Sequence, residues 1–348
     1  MLRAIPATIS SGEYDTLVRE RAHEAAIFGT GRGQPLGTLP SDEGGTGAGS
    51  KIVSTKEVVK EIIHPNVSVS CVVMTTLIAA LLPPIRRCLS SQAWRSLIPE
   101  GKALIGGTWR AGSSGQMFPV YNPANEEKIA DVPSSSSEED LDIAIVEADE
   151  AQKSWSTLPA GVRSRVLENW ANSLESNTTL LAQLITAENG KVDTDARGEI
   201  NSAIEGLRWY ANEARCTYGK IIPSTHVHGR RLMVIHQPVG VVAMITPWNF
   251  PLSMLTRKAG AALAAGCSVV LKPSDETPLT ALAAVHLATS PDVGLDPRLL
   301  SILPVPANEA DKVGKVFCSH PLVRQIGFTG STAVGMSYFS SASITRLM

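Results

Sequence analysis

GVVAMITPWNFPLSMLTRKAGAALAAGCSVVLKPSDETP, the run from Gly240 to Pro278, decides the fold. It opens on an apolar, β-branched strand, Val241 to Thr246, which Pro247 ends because proline has no amide proton to give to a ladder. An alanine-rich helix beginning near Leu252 follows, then a second apolar strand from Ser268 to Lys272, closed by Pro273-Ser274-Asp275. The alternation continues downstream, with strands at Leu299 to Pro304 and Val323 to Phe328 and helices from near Pro278 and Asn308. Short strands separated by helices make βαβ units, so the expected fold class is α/β, a doubly wound, Rossmann-like parallel sheet suited to a dinucleotide. No GxGxxG fingerprint follows the first strand, so the order of elements carries this reading.

Upstream, the pattern is helical. Ser137-Glu138-Glu139-Asp140 caps a helix whose apolar stripe is Leu141, Ala144, Ile145, Ala148, Ala151 and Trp155. A second helix puts Leu167, Trp170, Ala171 and Leu174 on one face, and a third is expected from about Asp195 to Tyr218. Arg231 to Gln237 alternates as a strand, and a further strand is expected around Met117 to Tyr121.

With 348 residues, 43% of them hydrophobic and 18% charged, the chain is globular and long enough for two cores. Its formal net charge of −2 offers no general attraction to nucleic acid or to an anionic membrane. Five cysteines, at 71, 88, 216, 267 and 318, show no CxxC spacing and are odd in number, which argues against a disulfide framework or a zinc site.

The first ninety or so residues read differently. Residues 1–97 are expected to be a disordered leader, with Gly29 to Ser50 rich in glycine, proline, serine and threonine. Gly29 to Gly33 lacks the strand and helix of a dinucleotide loop, and Gly44 to Lys51 ends Gly-Ser-Lys where a P-loop needs Gly-Lys-Ser/Thr. The apolar run from Val67 to Leu82 stops at Pro83-Pro84, short of the roughly 20 residues of a membrane helix, so no span is expected. From Met74 to Pro99 there is no acidic residue, while Arg86, Arg87 and Arg95 lie among serines and leucines, as in a mitochondrial transit peptide. A mitochondrial location with Met74 as the start is one expectation, a cytoplasmic location with a leader of chance composition the other.

Thr246 to Pro251, Thr256-Arg257-Lys258-Ala259-Gly260, Ala264 to Cys267, Lys272 to Pro278, and Phe328-Thr329-Gly330-Ser331-Thr332 with Gly335 occur in the order and spacing of aldehyde dehydrogenases. Ala187 to Lys191 and Arg197 to Ile200 fit the same pattern. The chain from about Ile98 to Met348 thus resembles the amino-terminal portion of that family, and within it the succinate semialdehyde dehydrogenases.

The resemblance implies NAD(P)-dependent oxidation of an aldehyde, succinate semialdehyde to succinate in 4-aminobutyrate catabolism, with NAD or NADP as coenzyme. It gives Asn249 the catalytic role of oxyanion donor, where a preorganised amide stabilises the developing charge by about 3 kcal/mol. A lone asparagine after a strand is otherwise a turn former. Lys272 and Asp275, just past the second strand, suit the hydroxyls of an adenosine ribose. Asp275 stands where the family more often has glutamate, which leaves the choice between NAD and NADP open. Gly330, Ser331 and Gly335 resemble the pyrophosphate contact at a helix start, and Thr246, Trp248 and Ser274 also fall on the coenzyme. Arg257 is the substrate clue, because a guanidinium fork matches the far carboxylate of the semialdehyde; its plain alternative is a helix-surface arginine.

The family's cysteine nucleophile and glutamate base normally follow the point where this sequence stops. Cys267 and Cys318 are expected to be packed, inert thiols, the neighbouring His320 lacks a third orienting group, and Glu188 and Glu199 fall at non-catalytic positions of the helical layer. The chain alone is therefore expected to be inactive, either a truncated record of an aldehyde-oxidising enzyme or a silent nucleotide-binding or subunit-interacting module. The complete enzyme is expected to be a homo-oligomer. Met117 to Tyr121 and His226 to Gln237 resemble the family's oligomerisation arm, with partner strands expected from the missing carboxyl-terminal region.

Overall fold

The computed structural model describes residues 93–341. The sequence expectations for the glycine-rich leader, the apolar run ending at Leu82 and a start at Met74 lie outside these residues. The boundary expected at Ile98 shifts, because Ala93–Leu97 forms a 3-10 turn that buries Trp94 and Leu97 in the core.

Two small antiparallel pairs come first. Strand β1 (Ala103–Ile105) pairs with β2 (Thr108–Arg110), and β3 (Met117–Tyr121) with β4 (Lys128–Pro133). Helices α1 (Glu138–Thr157), α2 (Ala160–Ser176), α3 (Thr178–Asn189) and α4 (Asp193–Glu213) follow. In α1 every residue of the expected stripe is buried, and the Asp140 amide donates to the Ser137 hydroxyl as the cap requires. Helix α3 was not separable from its neighbour in the sequence: no glycine or proline marks the break at Asn177, and the apolar period runs on from Leu174 to Leu181. Helix α4 stops five residues before the expected Tyr218, passing into a 3-10 turn at Ala214–Cys216 where Arg215 donates to the Ser164 hydroxyl of α2.

Strands β5 (Lys220–Pro223) and β6 (Arg231–Val234) then form a hairpin whose strand residues are all exposed. Both arm-like segments find an antiparallel partner nearby, β3 in β4 and β6 in β5, and each pair keeps a second edge open among the described residues.

The remaining elements alternate: β7 (Val241–Ile245), α5 (Pro251–Ala265), β8 (Ser268–Lys272), α6 (Pro278–Ala288), β9 (Leu300–Ile302), α7 (Ala310–Ser319), β10 (Val323–Phe328) and α8 (Thr332–Ser341). The strands form a parallel sheet in the order β10-β7-β8-β9. Every residue of β7, β8 and β9 is buried, as strands covered on both faces should be, while β10 is an edge strand with Arg324 and Gln325 exposed. From β7 to β9 the chain steps across the sheet one way, and from β9 to β10 it crosses back past β7. Because such crossovers are right-handed, the helices change face at that reversal. The crevice between β7 and β10 is the switch point, where open α/β sheets take ligands.

The helical layer holds α5 and α6 by their ends. Glu199 of α4 accepts from the Leu252 and Ser253 amides at the start of α5, and Glu188 of α3 from the Leu279 and Thr280 amides at the start of α6. At the other end of α5, Trp155 donates to the Leu263 carbonyl, Arg163 to that of Ala264 and Gln152 to that of Gly266. Free amides and carbonyls at helix ends need partners once buried, and these polar side chains supply them.

Candidate functional site

Three loops leave the carboxyl edge of adjacent strands at one level. Ile245 lies opposite Lys272 on one side and Phe328 on the other, the Thr246 amide donates to the Lys272 carbonyl at 3.2 Å, and the Thr329 amide to the Ile245 carbonyl at 3.1 Å. The loops starting at Thr246, Pro273 and Thr329 are therefore spaced about 5 Å apart along one edge. The sequence-based site residues Thr246, Trp248, Asn249, Ser274, Asp275, Gly330 and Ser331 fall on them, and Lys272 ends β8 at the same edge.

The loop after β7 cannot use the amides of residues 247 and 251, both prolines, and is anchored through its carbonyls. Asn189 donates to the Trp248 carbonyl at 2.8 Å, and Lys191 to the Asn249 carbonyl at 2.6 Å. Trp248 and Asn249 are exposed, and the Asn249 side-chain amide has no protein partner among the described residues.

Lys272 is buried, and its ammonium donates to the Pro273 carbonyl at 3.1 Å. Burial pushes its pKa down, while the nearby negative charge of Asp275 opposes that shift. Asp275 is half-buried beside it. Ser274 shapes the turn, its hydroxyl accepting from the Glu276 amide at 3.4 Å and its carbonyl from the Thr277 amide. A buried ammonium and a carboxylate at the edge next to the switch point form a donor and acceptor set that fits a ribose diol.

At the start of α8, Ser331 caps the helix through its hydroxyl, which accepts from the Val334 amide at 3.4 Å, and its carbonyl accepts from Gly335. The glycines have an additional use that the sequence did not show. A Cβ on Gly330 would come within 2.5 Å of the Phe328 ring, and one on Gly335 within 3.2 Å. Phe328 thus folds back over this turn and meets Tyr338 edge-on at 5.4 Å.

Arg257 is exposed on α5 and lines a cleft of about 350 Å³ between α4 and α5. Ser202, Glu205, Gly206 and Trp209 form the α4 wall, and Ser253 and Thr256 complete the α5 wall. Nothing lies within 4 Å of where a Gly206 Cβ would point, so the glycine leaves the cleft open. Glu205 is a residue the sequence reading missed: its charge opposes that of Arg257 across the same space.

The thiols stand elsewhere. Cys267 is buried at the amino end of β8, about 16 Å along the strand from the site edge. Cys318 is buried at the end of α7 with its Sγ 3.7 Å from the Tyr338 carbonyl, while His320 turns to Asp142 and to the Leu322 amide. Cys216 is exposed beyond α4. Asn189, Lys191, Glu188 and Glu199 support the loops from behind. A sign for the two glutamates was available: Glu188 continues the face of Leu181, Leu184 and Ile185, and Glu199 shares a face with Ala196 and Ala203, so each is an acid on a stripe meant for the core.

The model of the aldehyde dehydrogenase family matches residues 109–348. The mitochondrial succinate-semialdehyde dehydrogenase of Arabidopsis thaliana is 47% identical over 244 residues, 70% of this chain and 45% of that protein. The NADP(+) succinate-semialdehyde dehydrogenase GabD of Escherichia coli K12 is 44% identical over 234 residues, 67% of this chain and 47% of that one. A crystal structure of an E. coli NADP-dependent enzyme superposes with a TM-score of 0.69 at 40% identity, covering 73% of this chain and 51% of that one. The chain spans about half the length of the relatives it matches.

Proposed function

Because the chain belongs to the aldehyde dehydrogenase family, we propose that it provides the coenzyme-binding half, the oxyanion contact and the carboxylate contact for NAD(P)-dependent oxidation of an aldehyde, with succinate semialdehyde as substrate. The observation that carries this reading is the meeting of the Asn249, Lys272–Asp275 and Gly330 loops at one sheet edge beside the switch point, with Arg257 on the helix that leaves the same edge.

When bound, the coenzyme supplies the acceptor for the hydride that leaves the aldehyde carbon. Lys272 donates to and Asp275 accepts from the ribose hydroxyls, and Thr246, Trp248 and Ser274 border the same edge. The Gly330–Ser331 turn and Gly335 face the phosphates with helix-end amides. Asn249 presents its amide to the carbonyl oxygen as charge develops there, a contribution of about 3 kcal/mol to the barrier. Arg257 holds the far carboxylate in the cleft, setting the aldehyde end toward the sheet edge. No described cysteine reaches this edge, so on this reading the attacking thiolate and the base that activates water come from outside the described residues. The complete enzyme is a homo-oligomer in mitochondria on this reading, in keeping with the transit-peptide-like composition of Met74 to Pro99.

A second reading, a silent module that binds nucleotide or a sister subunit, draws on the exposed β5–β6 hairpin and the distant thiols. A hybrid in which residues 109–348 replace the matched part of the E. coli relative separates the two. The first reading expects turnover of succinate semialdehyde with NAD or NADP, and an Arg257→Ala change that raises KM for it far more than for a neutral aldehyde of similar length. An inactive hybrid, or an equal effect on both substrates, rejects the proposed assignment.

A further inference from the structure

We infer that Lys191, with Asn189, is the positioning residue for Asn249, an assignment that rests on reading Asn249 as the oxyanion donor. Helix α3 ends at Gly190, whose φ of 82° lies in the left-handed region. That turn brings the residues on either side of the glycine to the loop after β7. Asn189 Nδ2 donates to the Trp248 carbonyl at 2.8 Å, and Lys191 Nζ donates to the Asn249 carbonyl at 2.6 Å. The same ammonium pairs with Glu199 Oε2 at 2.5 Å and lies 3.9 Å from the centre of the Phe250 ring. The other oxygen of Glu199 accepts from the Leu252 and Ser253 amides at 2.8 and 3.2 Å. Residues 248, 249, 250, 252 and 253 are thus tied to a single side-chain bracket.

The bracket acts on backbone, which is why it bears on geometry. With the carbonyls of Trp248 and Asn249 both held, the peptide planes on either side of Asn249 are oriented, and the direction of its Cα–Cβ bond follows. An oxyanion donor works only if its amide stands at hydrogen-bond distance from the developing charge, and a displacement of about 1 Å costs on the order of 100-fold in rate. Lys191 is well placed to prevent that displacement: its side chain is 16% exposed and its partner Glu199 is fully buried, so the ion pair is shielded from water.

The test uses the hybrid described above and the 348-residue chain. In the hybrid, Lys191→Met is expected to lower kcat by about 10- to 100-fold while aldehyde KM and coenzyme affinity stay within about threefold. In an Asn249→Ala background the same change is expected to lower kcat by less than about twofold, because both act on one contact. Lys191→Arg, which can still donate to the Asn249 carbonyl, should restore part of the rate. Removing Lys191 leaves the Glu199 charge buried and unpaired, so Asn189→Ala, which deletes only the bond to Trp248, provides a second variant with the same expected pattern. In the chain itself, Lys191→Met should speed amide exchange at 246–253 and leave β8 unchanged. A kcat loss of equal size with and without Asn249, or slow exchange retained at 246–253, overturns the positioning role. Unchanged kcat in Asn249→Ala alone instead defeats the reading on which it rests.

Discussion

Glu188 accepts hydrogen bonds from both donors of Thr280, 2.8 Å from the amide and 2.6 Å from the hydroxyl, at the buried start of α6. Burial pushes its pKa from the ordinary 4.5 up to about 7, against the pull of the bonds from Thr280 and Leu279. A carboxyl whose pKa is higher folded than unfolded binds its proton more tightly in the folded state. Its stabilising effect is therefore complete below 4.5 and lost as pH rises through about 7, an interval corresponding to roughly 3 to 4 kcal/mol as an upper bound. Urea unfolding of the chain and of Glu188→Gln across this range should show the parent losing stability relative to the variant as pH rises. Parallel pH profiles would show that the carboxyl does not titrate in the native protein.

On the proposed coenzyme reading, Asp275 is the charge that the 2′ position of an adenosine ribose would meet. A 2′-phosphate carries nearly two negative charges beside this carboxylate, whereas a hydroxyl can donate to it. Asp275→Ala is expected to move the ratio of dissociation constants toward NADP by about tenfold, with Lys272 then free of its opposing charge. Calorimetric titration of both coenzymes checks this, and a fixed ratio would place the 2′ position away from Asp275.

How much of this was legible beforehand depended on what each residue does locally. Ser268–Lys272 and Val323–Phe328 have the strand limits expected from the sequence, because apolar runs bounded by turn residues declare themselves. Asn249, Lys272 and Asp275 could be placed at a strand's carboxyl edge for the same reason. The break between α2 and α3 could not, since no residue there opposes a helix. Nor could the partners of β3 and β6, because pairing depends on what lies nearby in space. Lys191 and Glu205 were hidden by the same limit: Asn249, whose carbonyl Lys191 holds, and Arg257, which shares a cleft with Glu205, lie 58 and 52 positions away along the chain. Only packing of the helical layer on α5 brings them together.

Glu205 and Arg257 share a cleft, so their effects on an anionic substrate should oppose each other. In the active hybrid, Arg257→Ala should raise KM for succinate semialdehyde by tenfold or more, roughly the worth of a charge-assisted contact. Glu205→Gln should lower it by about two- to fivefold, because an exposed like charge repels weakly through water. Raising the salt concentration should shrink both effects. A Glu205→Gln variant with unchanged KM would mean the substrate carboxylate lies on the far side of Arg257.

The β5–β6 hairpin carries apolar side chains where nothing in the described residues covers them. Ile221 stands opposite Met233, with 68% and 75% of their surfaces exposed, Ile235 extends that face, and the cross-strand pair Ile222 and Leu232 is exposed on the other. Two-stranded hairpins are marginal alone, and an exposed apolar edge is a template for another chain. If this arm docks a second subunit, the chain should associate and express poorly as a soluble monomer. Replacing the pair by Ile221→Glu and Met233→Lys keeps an attractive cross-strand contact while removing apolar surface. Light scattering on the size-exclusion peak should then report a smaller species and a higher soluble yield than the parent. An unchanged mass would show that the chain associates through another surface, such as the edge of β10.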